Sequence, residues 1–142
     1  MKKLTAAMAV MLFATIIFAQ KMQEKDVPAN IKSAFQKKYP SAASVKWDKE
    51  EEKYEATFYL NKTDHSVLLD AQANIIETEV EIELSQLPPG ILDYVKNNYT
   101  GRKVKEASKI TEAKGIVTYE AEIKGMDLIF DSKGIFIKEL KD

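Results

Sequence analysis

The heptapeptide YEATFYL, residues 54–60, nearly returns as YEAEIKG, residues 119–125. In the first copy Tyr54, Ala56, Phe58 and Leu60 alternate with Glu55, Thr57 and Tyr59; in the second, Tyr119, Ala121 and Ile123 alternate with Glu120, Glu122 and Lys124. A period of two puts the apolar set on one side of a strand and the polar set on the other, as in an antiparallel sheet covered on one face. A recurrence of this kind within 142 residues points to one unit written twice.

The matching extends upstream. Pro28, Ile31, Phe35 and Tyr39 fall on Pro88, Ile91, Val95 and Tyr99 at a constant offset of 60. Ile31, Phe35 and Tyr39 step by four, with Ala34 in the same stripe, which predicts an amphipathic helix of about three turns at the head of each unit. Proline belongs in the first turn, where its missing N–H costs nothing. Helix one should end near Tyr39, because Pro40 disfavours helix at the residue before it. Helix two should end near Tyr99, with Gly101 free to take a left-handed cap. Helices this short need a surface to pack on.

Downstream, SVLLDAQANII (66–76) and LIFDSKGIFI (128–137) each read as strand, aspartate, polar turn and strand. Asp70 and Asp131 open the turns, and Asn74 takes the place of Gly134 as the residue tolerant of positive φ. First strands near Val45–Asp48 and Ala107–Thr111 complete the count, with DKEEEK (48–53) as a polar hairpin loop. The expected fold class is α+β, two tandem units, each an amphipathic helix packed on a four-stranded antiparallel meander. They span 27–82 and 87–142, joined by a linker at 83–86 and preceded by a flexible segment at 20–26. Units of about 55 residues are near the lower limit for an independent core, so the two are expected to pack into one body.

The first residues, MKKLTAAMAVMLFATIIFAQ, carry Lys2 and Lys3, an apolar run from Leu4 to Phe18 and the small Ala19. That is the layout of a secretory signal peptide over 1–19, and an apolar run of about fifteen residues falls short of the roughly 20 that cross a bilayer. A periplasmic or secreted location follows, with no membrane insertion once the leader is cut. Cysteine is absent, which removes disulfides, thiolate metal sites and a lipidated cysteine anchor. Without Lys2 and Lys3 the chain keeps 22 acidic side chains, and Arg102 is its one arginine. Nucleic-acid binding rests on basic patches and the arginine fork, so this composition argues against it.

The leader, the doubled order of proline, helix, tyrosine and YEA strand, and the closing strand with its D-x-x-G turn together resemble the PepSY-like family of small exported bacterial proteins, related in fold to the beta-lactamase-inhibitor protein. The resemblance covers the mature chain. It implies a helix on a four-stranded meander in each unit and a non-catalytic binding or inhibitory role. It carries over no catalytic residue, since the shared positions are core and turn positions.

Chemistry-bearing residues are few. His65 is the sole histidine, so histidine-paired nucleophiles and multi-histidine metal sites have little to be built from. Its setting in NKTDHS reads as an exposed loop. Glu77, Glu79, Glu81 and Glu83 share one side of a predicted strand, but alternate residues stand about 7 Å apart, whereas calcium ligands must converge. The run reads as a solvated face that discourages edge pairing. No cofactor is implied. Trp47, Tyr59, His65 and Tyr94 form the candidate interaction surface, because partly exposed aromatics recur in protein interfaces. Two functions remain open. One is an exported non-catalytic binding module, protein-binding or inhibitory, whose partner is another envelope protein; the other is a carboxylate-based hydrolase or small-ligand carrier of the cell envelope. No pattern specifies an oligomeric state.

Overall fold

The computed structural model describes residues 19–141, so the predicted leader lies, apart from Ala19, outside the described residues. Nine strands are formed: β1 (Gln20–Met22), β2 (Ala43–Glu50), β3 (Lys53–Leu60), β4 (Thr63–Leu69), β5 (Ile75–Ile82), β6 (Glu106–Glu112), β7 (Val117–Ile123), β8 (Met126–Asp131) and β9 (Phe136–Lys141). Two short helices, α1 (Ala29–Lys38) and α2 (Ile91–Asn98), interrupt them. All nine strands belong to one antiparallel sheet whose order in space is the order in the chain.

This overturns the expected fold class. There are not two tandem helix-on-four-strand units, because β5 pairs with β6 along its length, from Glu77 opposite Glu112 to Ile82 opposite Ala107. The molecule is mostly sheet, with a single ladder running through the predicted boundary. The physical reason is that an unpaired β5 would bare a row of backbone donors and acceptors. Side-chain alternation shows which face of a strand is oily; it does not show which strand edges meet.

The registers place both helices on one face of this sheet. Ala56, Val67, Thr78 and Thr111 stand opposite one another in turn, as do Ile82, Ala107, Ala121 and Leu128. Thr78 and Ile82 are four apart on one strand, so the two rows share a side. Under α1, Ile31 and Phe35 pack with Val27 on Trp47, Ala56, Phe58, Val67 and Leu69. Under α2, Ile91 and Val95 pack with Leu87 on Ala107, Ala121, Ile123, Leu128 and Phe130.

Both helices are capped at the expected tyrosines, Tyr39 and Tyr99, with φ of −126° and −124°. Their starts differ. Pro28 is the N-cap of α1, whereas α2 starts after Gly90 at φ 95° rather than at Pro88.

The predicted flexible segment holds β1 and a 3-10 turn at Glu24–Asp26. The predicted linker holds a second such turn at Leu84–Gln86, capped by Glu83, whose N–H donates to Gln86 Oε1 at 2.8 Å.

The aspartate turns close in the same way twice. Asp70 Oδ1 accepts the backbone N–H groups of Gln72 at 3.0 Å and Asn74 at 2.9 Å. Asp131 Oδ1 accepts those of Lys133 at 2.8 Å and Ile135 at 2.9 Å. The positive-φ residue of the first turn is Ala73 at 67°, not Asn74, and it matches Gly134 at 83°. Asn74 instead donates through its side chain to Asp70 Oδ2 at 3.0 Å.

Candidate functional site: the open face of the sheet

The face away from the helices carries the charge. Reading across the strands, Asp48, Glu55, Leu68, Glu77 and Glu112 form one row. Lys46, Thr57, Ser66, Glu79, Ile110 and Thr118 form the next. Glu81, Ser108, Glu120, Ile129 and Lys138 form a third, and Glu106, Glu122, Asp127 and Leu140 a fourth. Carboxylates far outnumber the lysines here, so the helix-free side of a nearly neutral chain is strongly acidic.

Partial burial, helped by neighbouring acids, pushes Glu55, Glu77 and Glu120 towards their neutral forms. Burial raises the Glu120 carboxyl to about 8, and repulsion from Glu79, Asp127, Glu122 and Glu77 adds to the shift. Ile129, 6% exposed, is the apolar neighbour of Glu120 across the ladder. Glu55 is raised by burial, against a hydrogen bond from the Ser66 hydroxyl, with Glu50, Glu79 and Asp48 pushing the same way as burial. Glu77 is raised by burial and by Glu79 and Glu112, while Lys53 lowers it. Glu55 and Glu120 are the glutamates of the two YEA copies, so one motif position is a half-buried acid on the open face both times.

A depression of about 350 Å³ lies on this side, lined by side chains from β3 to β6 that include Thr57, Tyr59, Ser66, Glu79, Glu81, Glu106 and Ser108, with Lys46 at the β2 side. Ser108 is the one buried polar residue among those described, at 9% exposure. Among the described residues no group of three or more acids or histidines is arranged to hold a metal ion.

The four predicted aromatics do not come together. Tyr59 is 44% exposed and borders the depression. Trp47 is 5% exposed, packed edge-on against Phe35 at 5.2 Å under α1, since its register partner Ala56 places it on the helix side. Tyr94 lies on α2, stacked on Phe136 at 5.0 Å and edge-on to Phe130 at 5.5 Å. His65 is not in a loop. The run NKTDHS turns within Asn61 and Lys62, at φ 53° and 66°, and then enters β4, where His65 stacks on Phe58 at 5.4 Å.

Glu83 leaves the predicted acidic row for its capping role, while Glu77, Glu79 and Glu81 keep it. Ser108 and Glu120 were not predicted as site residues. The signal for Glu120 was its recurrence with Glu55 inside an otherwise structural motif. Nothing in the sequence marked Ser108, which is placed by the β5–β6 pairing.

Solved structures resemble this fold over about four-fifths of the chain. A Bacteroides eggerthii protein described as periplasmic matches with a TM-score of 0.70 at 18% identity, over 81% of this chain and 88% of that one. A Bacteroides uniformis protein of the DUF2874 family matches at 0.68 and 24% identity, over 81% and 89% of the two chains. A BLIP-like protein from Bacteroides fragilis matches at 0.60 and 24% identity, over 80% and 85%. At such identities the likeness establishes the fold, and the description of the first agrees with the exported location read from the leader. No curated protein matches the chain. One family model, described as beta-lactamase-inhibitor-like and PepSY-like, matches twice, over residues 18–77 and 59–138. The chain belongs to this PepSY-like, beta-lactamase-inhibitor-like family.

Proposed function

We propose that the protein is an exported, non-catalytic binding module that engages another protein of the cell envelope through the open face of its sheet. The observation that carries this reading is the segregation of the molecule into one face closed by both helices and one continuous face left to solvent, bordered by the exposed Tyr59. The leader over 1–19 and the family support export. The test is a pull-down from envelope extract with wild type, Tyr59→Ala and Lys124→Ala, each confirmed as folded. A partner lost with Tyr59→Ala and kept with Lys124→Ala supports the reading; recovery of no partner by any form counts against it.

One observation favours a second reading, a carboxylate-based hydrolase. Burial and neighbouring acids raise the Glu120 carboxyl to about 8, and a carboxyl raised in this way can serve as a general acid. Turnover of a glycoside or peptide library that disappears in Glu120→Gln would establish it, and a library left intact by wild type would remove it.

A further inference from the structure

We infer that a depression beside α2 is a binding site for a single-chain amphiphilic anion, a fatty carboxylate whose hydrocarbon chain lies on the apolar floor and whose head meets the cations around it. The site is on the helix side of the molecule and stands independently of the open-face reading above.

The depression, of about 390 Å³, falls between α2 and the chain that leaves it. Leu84, Leu92, Val95 and Val104 make its apolar floor, and Lys96, Arg102 and Lys103 supply every charge among its lining residues. No carboxylate is among them, although the chain has 22 acidic side chains against 21 basic ones. Gly101, at φ 77°, turns the chain after α2 so that 102–104 come back beside Leu84. Arg102 Nη1 donates to the Lys124 carbonyl at 3.4 Å, which anchors that side chain. Lys96 and Lys103 have no hydrogen bond or ion pair among the described residues.

The first half of the chain supplies an internal control. A depression flanks α1 as well, and five of its lining positions fall on five of these at the offset of 60: Glu24 on Leu84, Lys32 on Leu92, Phe35 on Val95, Gln36 on Lys96 and Ala42 on Arg102. The fold makes the hollow twice, and its chemistry differs. Beside α1 the lining charges are one acid and one lysine, Glu24 and Lys32. Beside α2 both of those places are leucine, and the uncharged Gln36 and Ala42 are replaced by cations.

Lys32 also shows that the helix packs without an apolar side chain in the place of Leu92, so the core does not account for a leucine there that is 46% exposed. An apolar floor ringed only by cations complements a ligand with an oily tail and an anionic head. The volume lies within the roughly 300–1,000 Å³ of small-molecule sites.

The test is an NMR titration of the isotope-labelled protein, purified after export, with dodecanoate below its micelle concentration. Amide shifts should saturate at Leu92–Lys96 and Gly101–Val104 and stay still at Lys32–Gln36. Butyrate, which lacks the tail, and dodecyltrimethylammonium, which reverses the head charge, should each bind at least on the order of tenfold more weakly. Leu92→Lys should lose on the order of tenfold in dodecanoate affinity. The pair Lys96→Gln and Lys103→Gln should erase the preference for dodecanoate over the cationic amphiphile. Circular dichroism should be unchanged in both variants. Equal shifts beside α1, equal affinity for the two amphiphiles, undiminished binding by Leu92→Lys, or no binding of dodecanoate would each overturn the proposal. Binding to phosphatidylglycerol vesicles without binding of free dodecanoate would also overturn it, and would make the patch a membrane contact instead.

Discussion

The Tyr99 hydroxyl donates to a carboxylate oxygen of Glu139 at 2.8 Å, tying the end of α2 to the last strand of the sheet. The matching tyrosine, Tyr39, makes a different set of contacts, packing on Phe35 at 5.5 Å and Phe58 at 4.7 Å. Glu139 stands opposite Leu128, whereas the matching place opposite Val67 is held by Thr78, which has no carboxylate; β9 is also the terminal strand, while β5 is held by β6 on its far side. Burial and the bond to Glu139 push the Tyr99 hydroxyl up to about 12, so it stays a donor throughout the physiological range.

Tyr99→Phe should therefore loosen β9 more than the rest of the molecule. A hydrogen bond to a charged, solvent-screened partner is worth about 1 kcal/mol or less. Amide exchange at Phe136–Lys141 should accelerate a few-fold while exchange in β3 stays as it was. Uniform change across the sheet, or none in β9, would contradict this role.

The pH dependence of stability should run against the common pattern for carboxylates. Glu120 binds a proton more tightly folded, up to about 8, than unfolded, near 4.5. Between those values the native state holds more protons than the unfolded one, so stability falls as pH rises and levels off above about 8. The raised Glu55 and Glu77 act in the same direction. Thermal unfolding should give a higher midpoint near pH 5 than near pH 8.5, and Glu120→Gln should flatten that slope. A wild-type midpoint that climbs over this interval would show the acid face to be more hydrated than its packing implies.

The turn positions predict a pair of opposite effects. Ala73 sits at φ 67°, a left-handed conformation that costs an ordinary residue about 1 kcal/mol, so Ala73→Gly should stabilise by up to about that amount. Gly134→Ala should destabilise by more, because a Cβ there would stand 3.0 Å from the Pro89 carbonyl oxygen as well as at φ 83°. Urea titrations of both variants check this, and a neutral Gly134→Ala would mean that the loop before α2 yields freely.

Phe35→Ala and Trp47→Ala should each cost about 3 kcal/mol or more, since both side chains are buried under α1. Tyr59→Ala should stay within about 0.5 kcal/mol. Comparable losses at Trp47 and Tyr59 would place the core on the wrong side of β2 and β3.

What the sequence made legible was local. Alternation in YEATFYL and YEAEIKG assigned the inner and outer faces of β3 and β7, and the four-residue steps of Ile31, Phe35 and Tyr39 gave the buried stripe of α1. It missed what depends on pairing. The join of β5 to β6 left no mark in either strand's pattern, because Thr78, Val80 and Lys109 fit a covered strand and an edge equally well. Trp47 was misjudged for a related reason: an indole in a strand of mixed polarity does not say which face it takes until Ala56 is found opposite. The polar NKTDHS run was mistaken for a loop because a half-buried strand can be polar on its outer side and end in a two-residue turn.

Strand order that repeats chain order also governs how the molecule comes to fold. Every pairing from β1 to β9 joins consecutive strands, and the widest gaps to be closed are those that contain α1 and α2. Folding rates fall as contacting residues become more distant along the chain. Six of the eight pairings close across a short turn and only β1–β2 and β5–β6 span a helix, so assembly can advance hairpin by hairpin from several starting points.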